Sequence, residues 1–175
     1  MASNSKAVES APPSLWGRIR HIHPGLVLAA LDLIGLGIAS YLTKVELTPG
    51  QAPMCTVAGI HVGDCERVAA SPYTRPIAGI PVAVYGVFLS ITLFTLAIAW
   101  WRTNNYKLLL LHYGLSLVGV AFEVWFQVAQ IFFIGAFCIW CESYGISLVL
   151  RFLVALWVYL RTPNPNAVAA EGLTE

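Results

Sequence analysis

Four apolar stretches, each close to the length of a membrane crossing, leave few folds open to this chain. They run from Gly25 to about Thr43, Pro81 to Trp101, Leu108 to about Val128, and about Cys138 to Leu160. A helix of roughly 20 residues spans about 30 Å of hydrocarbon, and in lipid only helices and closed barrels satisfy every backbone polar group. With 58% hydrophobic and 11% charged residues among 175, the chain is too apolar for an ordinary soluble domain. The expected fold is all-α: an integral membrane four-helix bundle. A net charge of +1 gives no electrostatic footing for nucleic acid or an acidic ligand.

The expected organisation is a polar tail over 1–23, a bundle over 24–160 and a second tail over 161–175. The outer parts of both tails are rich in Ser, Ala, Pro and Asn and carry nothing apolar enough to pack. Trp16 to His23 mixes aromatic, basic and apolar residues, as an interfacial anchor does. The polar start offers no cleavable leader, so the first span is expected to serve as its own signal. With four crossings, both tails and the 102–107 loop share one side, which carries Lys6, Arg18, Arg20, Arg102, Lys107 and Arg161. The other side carries Lys44, Arg67 and Arg75, offset by Glu46, Asp64 and Glu66. The excess of Lys and Arg places both tails in the cytoplasm. The 44–80 loop and the 129–137 turn then meet on the opposite, oxidising face, where disulfides persist.

All four cysteines fall on that face: Cys55 and Cys65 in the loop, Cys138 and Cys141 at the start of the fourth span. A thiol at a helix N-terminus is favoured as thiolate, and i, i+3 spacing permits a disulfide whose exchange runs through thiolate attack. Glu142, not His, follows Cys141, so haem attachment is excluded. A closed four-thiolate zinc site and a purely structural pair of disulfides stay open as alternatives, as does a cysteine-bearing transporter or metal-handling protein. Cys55 and Cys65 bracket a Val- and Gly-containing run that predicts a short hairpin or tight loop. That pair suits an aqueous shuttle collecting electrons from a soluble partner. After Cys65, Val68, Ala69, Ala70 and Tyr73 suit a short interfacial helix, ended by Pro72, that caps the bundle mouth and holds Cys65 over Cys138.

Taken together, Cys55, Cys65-x-x-Val68-x-x-Ser71, the Gly79-x-Pro81 … Gly86 entry to the second span, the Cys-x-x-Cys opening the fourth and the 35–42 run resemble the vitamin K epoxide reductase family over about residues 24–160. The resemblance implies a bundle around a quinone of menaquinone, ubiquinone or phylloquinone type. It implies that Cys55 faces a thioredoxin-like partner, Cys65 exchanges with Cys138, and Cys141 lies deepest, against the quinone. Ser71 matches the family's serine near the site, and Ser71 and Tyr144 are the expected quinone-side residues. Val82 stands where vertebrate members place a quinone-binding Asn, and Tyr144 follows the last cysteine by three residues where theirs follows by four. Those departures favour a bacterial-type quinone reductase coupled to disulfide formation over an epoxide reductase proper. Many bacterial members carry a fused thioredoxin-like domain; here the partner is expected to be a separate extracytoplasmic protein facing a bacterial inner membrane. The other four-helix quinone-linked disulfide oxidase family puts its Cys-x-x-Cys in the first external loop, the reverse of the order here.

Several polar residues fall inside spans. Asp32 and Glu123 are costly there and are expected to face the bundle, as buried helix–helix hydrogen bonds more readily than as a proton route. Gln127 and Gln130 approach the cysteine face and suit a polar pocket wall, Phe137, Trp140 and Tyr144 an aromatic one. His61 is a loop histidine, more readily incidental than a thiolate's helper.

Overall fold

The computed structural model describes residues 23–162, apart from 49, 50, 52, 58, 59, 62 and 77. The side chains of 56, 57, 60 and 61 also lie outside that description, as do the tails, the expected anchor before His23, and with them the reading of His61. In chain order the elements are helix α1 (Pro24–Leu47), strands β1 (Thr56–Val57) and β2 (Ile60–His61), and helix α2 (Cys65–Ala69). A 3-10 turn over Pro72–Thr74 follows, then α3 (Val82–Thr103), α4 (Tyr106–Val128) and α5 (Ile139–Arg161). α1, α3, α4 and α5 are each long and apolar enough to cross a membrane.

Local sequence sets each boundary. Pro24 opens α1, and the His23 ring accepts the Gly25 N–H at 3.1 Å. Asn104, left-handed at φ 50°, closes α3, and Asn105 caps α4 by accepting the Lys107 N–H at 3.0 Å. A two-residue turn thus joins two spans. The third span outruns its expected end near Val128: Ala129–Ile134 continues α4 as a π-helix, closed where the Gly135 N–H meets the Gln130 carbonyl at 2.9 Å. The wide turn directs Gln130 into the interior, 1% exposed, and leaves Ile131, Phe132 and Phe133 on the outside.

α1 packs on α3 and α5, and α4 packs on the same two, so the spans form a ring with α1 and α4 on one diagonal. One end is tied by His23 with Asn104 (3.3 Å) and by the Tyr106 and Tyr159 rings (5.9 Å). A buried apolar layer of Leu28, Ala29, Ala97, Trp100, Leu109, Ala155 and Val158 seals that end. The other end carries the hairpin, α2 and the start of α5, and with them all four cysteines. The expected hairpin is present, with Thr56 opposite His61 and Val57 opposite Ile60. So is the expected cap helix, five residues long, which buries Cys65 and Val68 and starts where Asp64 accepts the Arg67 N–H at 3.1 Å.

Candidate active site

Cys55 and Cys65 are joined as a disulfide with their Cα atoms 5.7 Å apart, while Cys138 and Cys141 are free thiols whose sulfurs lie 2.7 Å apart. Cys55, Cys65 and Cys138 share one buried cluster with Val68, Phe126 and Ile134, and Cys141 packs against it. Backbone contacts hold the two pairs together. Gly63 bridges Cys138, and the Asp64 N–H donates to the Phe137 carbonyl at 2.9 Å. At φ 99°, with the Phe137 carbonyl filling the space where a Cβ would sit, position 63 requires glycine. The two residues leading into α2 are therefore stitched to the two leading into α5. Trp140 adds a second tie, its indole N–H donating to the Met54 carbonyl at 2.8 Å and its ring meeting Tyr41 at 4.7 Å.

Cys138 is the N-cap of α5, and its sulfur accepts the Cys141 N–H at 3.4 Å. The thiol hydrogen bond from Cys141, seconded by the Cys141 and Trp140 N–H groups, holds the Cys138 thiol below its ordinary value against the opposing effect of burial. Alkylation of Cys138 by iodoacetamide, followed against pH with Cys55–Cys65 oxidised, should therefore persist below the range of a free thiol. In Cys141→Ala built on a Cys55→Ala, Cys65→Ala background, where Cys138 has no disulfide to capture and is the one remaining thiol, the profile should move up in pH. An unmoved midpoint would remove Cys141 as the cause.

The Cys138 N–H itself goes to Gln130 Oε1 at 3.0 Å, the contact that the π-helix makes possible. Gln130 Nε2 reaches Glu142 Oε1 at 3.3 Å, and Gln127 Nε2 donates both to that oxygen (2.6 Å) and to Glu123 Oε1 (3.0 Å). Neither glutamine lines the cavity described below. They connect a cavity-lining carboxylate to the cap of α5, a role that the spacing of polar residues along one helix did not reveal. Gly145 gives Glu123 its place, since a Cβ there would lie 2.7 Å from Glu123 Cδ.

Beneath the cysteines, between the four spans, lies a cavity of about 340 Å³. Cys65, Cys138 and Cys141 open onto it, and Tyr144, Glu123 and Glu46 are polar groups in walls made mostly of Leu, Val, Ala and Phe. The Tyr144 hydroxyl donates to the Gly86 carbonyl at 3.1 Å, and the glycine of the second-span entry lets it come close: a Cβ at 86 would stand 3.3 Å from that hydroxyl. Glu46 Oε2 is buried with no hydrogen-bond partner among the described residues. Ser71 is not part of the wall. Its hydroxyl accepts the Tyr73 N–H at 3.3 Å and caps the 3-10 turn, and the neighbouring Thr74 lines the cavity instead. Trp140 and Phe137 are likewise absent from the wall. Among the described residues no group of three or more His, Cys, Asp or Glu is arranged to hold a metal ion.

Residues 26–156 match the model of the vitamin K epoxide reductase family. The chain belongs to the vitamin K epoxide reductase family. None of the curated proteins matches it. As a family member with four apolar spans it is a multi-pass membrane oxidoreductase of the quinone-linked thiol class. The family's cysteine order, a separated loop pair followed by Cys-x-x-Cys, is here two pairs joined by backbone contacts above one apolar cavity.

Proposed function

We propose that this vitamin K epoxide reductase family member reoxidises a thioredoxin-like dithiol protein on the non-cytoplasmic side of a bacterial inner membrane, passing the electrons through both cysteine pairs to a quinone. The observation that carries the reading is the joint placement of Cys65, Cys138 and Cys141 on one cavity beneath the loop disulfide. Cys55, at 8% exposure against 1% for Cys65, is the partner-facing sulfur. The partner's thiolate attacks Cys55, the Cys55–Cys65 bond breaks, and the partner's second thiol closes its own disulfide, leaving Cys55 and Cys65 reduced. Cys65 then attacks Cys138 of a Cys138–Cys141 disulfide, releasing Cys141. Cys55 resolves the Cys65–Cys138 bond and Cys138 departs. A low-pKa thiol leaves faster, so the depressed Cys138 pKa favours this direction.

The cavity residues fit a quinone: apolar walls for ring and tail, the Tyr144 hydroxyl, and the unpartnered Glu46 oxygen. Bound there, a quinone supplies the acceptor for the two electrons and two protons that the Cys138–Cys141 dithiol gives up on closing. Tyr144, Glu46 and Glu123 would hold and orient it, and Val68 and Thr74 of the cap would keep water out.

The test separates the two pairs. Purified protein is given a short-chain quinone and either a reduced thioredoxin-like protein or dithiothreitol, and quinone absorbance is followed. Cys55→Ser should lose turnover with the protein donor and keep it with dithiothreitol, a reductant small enough to enter the cavity that Cys138 and Cys141 line. Undiminished turnover of the protein donor by Cys55→Ser would contradict the input role of the loop pair.

A further inference from the structure

Below the cavity, every span gives a polar side chain to one buried cluster: Asp32 from α1, Ser90 from α3, His112 and Ser116 from α4, Ser147 and Arg151 from α5. His112 Nε2 lies 3.2 Å from Asp32 Oδ2 across one diagonal of the ring, and Arg151 Nη1 reaches Ser90 Oγ at 3.3 Å across the other. Arg151 is fully buried and also donates to Asp32 Oδ1 (3.5 Å), the Ser147 carbonyl (3.2 Å) and the Ser147 hydroxyl (3.1 Å). It also presses on bare backbone, since a Cβ at Gly35 would stand 2.8 Å from its Cζ.

A cluster that only tied the helices would end on itself. Two contacts leave this one, and both end on Tyr144. Ser90 Oγ lies 3.4 Å from the Tyr144 hydroxyl oxygen, and the Arg151 guanidinium carbon sits 5.3 Å from the Tyr144 ring centroid. Since Arg151 donates to Ser90, the Ser90 proton is directed to the Tyr144 oxygen. The Tyr144 proton is then the free end of a chain of donors, resting on the Gly86 carbonyl at the cavity wall. Chains of hydrogen bonds polarise one another, and a cation against the ring face adds to the effect. Toward the opposite end of the bundle the cluster meets the apolar layer of Leu28, Leu109 and Ala155. The polar connection therefore runs toward the cavity rather than across the membrane.

We propose that Arg151 is a positioning residue for the cavity, setting the Tyr144 hydroxyl as a donor to whatever oxygen lies beside it, through Ser90 and through the Tyr144 ring. The proposal rests on the reading of the cavity as the quinone site. Its test is a double-mutant cycle with a readout on quinone-free protein. Ser90→Ala removes one oxygen from the core, and Arg151→Lys keeps a charge beside Asp32 while losing the planar fork. Losing one polarising hydrogen bond should lower kcat for quinone reduction roughly fivefold in Ser90→Ala, with KM for the dithiol donor unchanged. The same change in a Tyr144→Phe background should cost nothing further. In quinone-free protein, the infrared C–O stretch of the Tyr144 phenol, assigned by its loss in Tyr144→Phe, should shift in both Ser90→Ala and Arg151→Lys. Equal losses in the two backgrounds, or an unmoved band in either variant, would overturn the proposal while leaving the cavity reading intact. Wild-type turnover by Tyr144→Phe would overturn the cavity reading and the proposal with it.

Discussion

Cys141→Ser should abolish quinone reduction with every thiol donor, protein or small, a loss of roughly a thousandfold or more, as for removal of a reacting nucleophile. The expectation follows from position. Cys141 opens on the cavity beside Cys138 and is the later member of the pair that the proposed relay closes on electron transfer. In the proposed relay, a serine there would leave Cys138 to exchange with the loop pair but with no second sulfur to close the bond that releases two electrons. The fold should survive, because serine replaces a half-buried thiol whose principal contact is another thiol. Stopped-flow absorbance of the quinone, with a melting curve on the same sample, separates lost chemistry from lost structure. Persistent turnover in Cys141→Ser would place the final electron transfer elsewhere.

Arg151→Leu should destabilise the bundle severely. Arg151 and Asp32 are both fully buried, and Arg151 hydrogen-bonds two neighbouring helices, through Asp32 and Ser90, and its own through Ser147. Removing Arg151 leaves the buried Asp32 with His112 as its one remaining partner among the described residues, at 3.2 Å. Losing one member of a buried pair costs up to about 3–5 kcal/mol, or on the order of 10 °C in melting temperature for a chain of this size. The double variant Asp32→Asn with Arg151→Leu should recover most of that loss, since the Asp32 carboxylate that has lost Arg151 is removed with it and an amide remains beside His112. Thermal unfolding of the detergent-solubilised protein reads both. If the double variant melts no higher than the single one, uncompensated charge is not the source of the cost.

The spans, the cap helix and the meeting of the cysteine pairs at one end were legible because each rests on a local or topological signal: apolar length, a Pro boundary, the parity of four crossings. Asp32 facing a helix–helix hydrogen bond was legible for the same reason, since an isolated carboxylate in hydrocarbon must find a partner. Its partners were not. His112 and Arg151 stand 80 and 119 residues away, and which faces of four helices converge is decided by packing, not by spacing along any one of them. The π-turn that sends Gln130 to the Cys138 N–H leaves no trace in hydrophobic period, because AQIFFI reads as plain apolar helix. Ser71 matched a family position, and its local chemistry is a turn cap at the rim; Tyr144, matched one residue out of register, is the one of the two that lines the cavity. Glu46 was read only as a loop charge, and α1 runs far enough to bring it to the cavity wall.

The relay depends above all on Cys65 being the loop sulfur that meets Cys138. Cys141→Ala leaves Cys138 as a nucleophile with no neighbouring thiol to close on, so it should capture the loop disulfide. Protein purified without reductant, alkylated and digested should then yield a Cys65–Cys138 cross-linked peptide by mass spectrometry, with Cys55 alkylated. A Cys55–Cys138 cross-link, or an intact Cys55–Cys65 disulfide with Cys138 alkylated throughout, would contradict it.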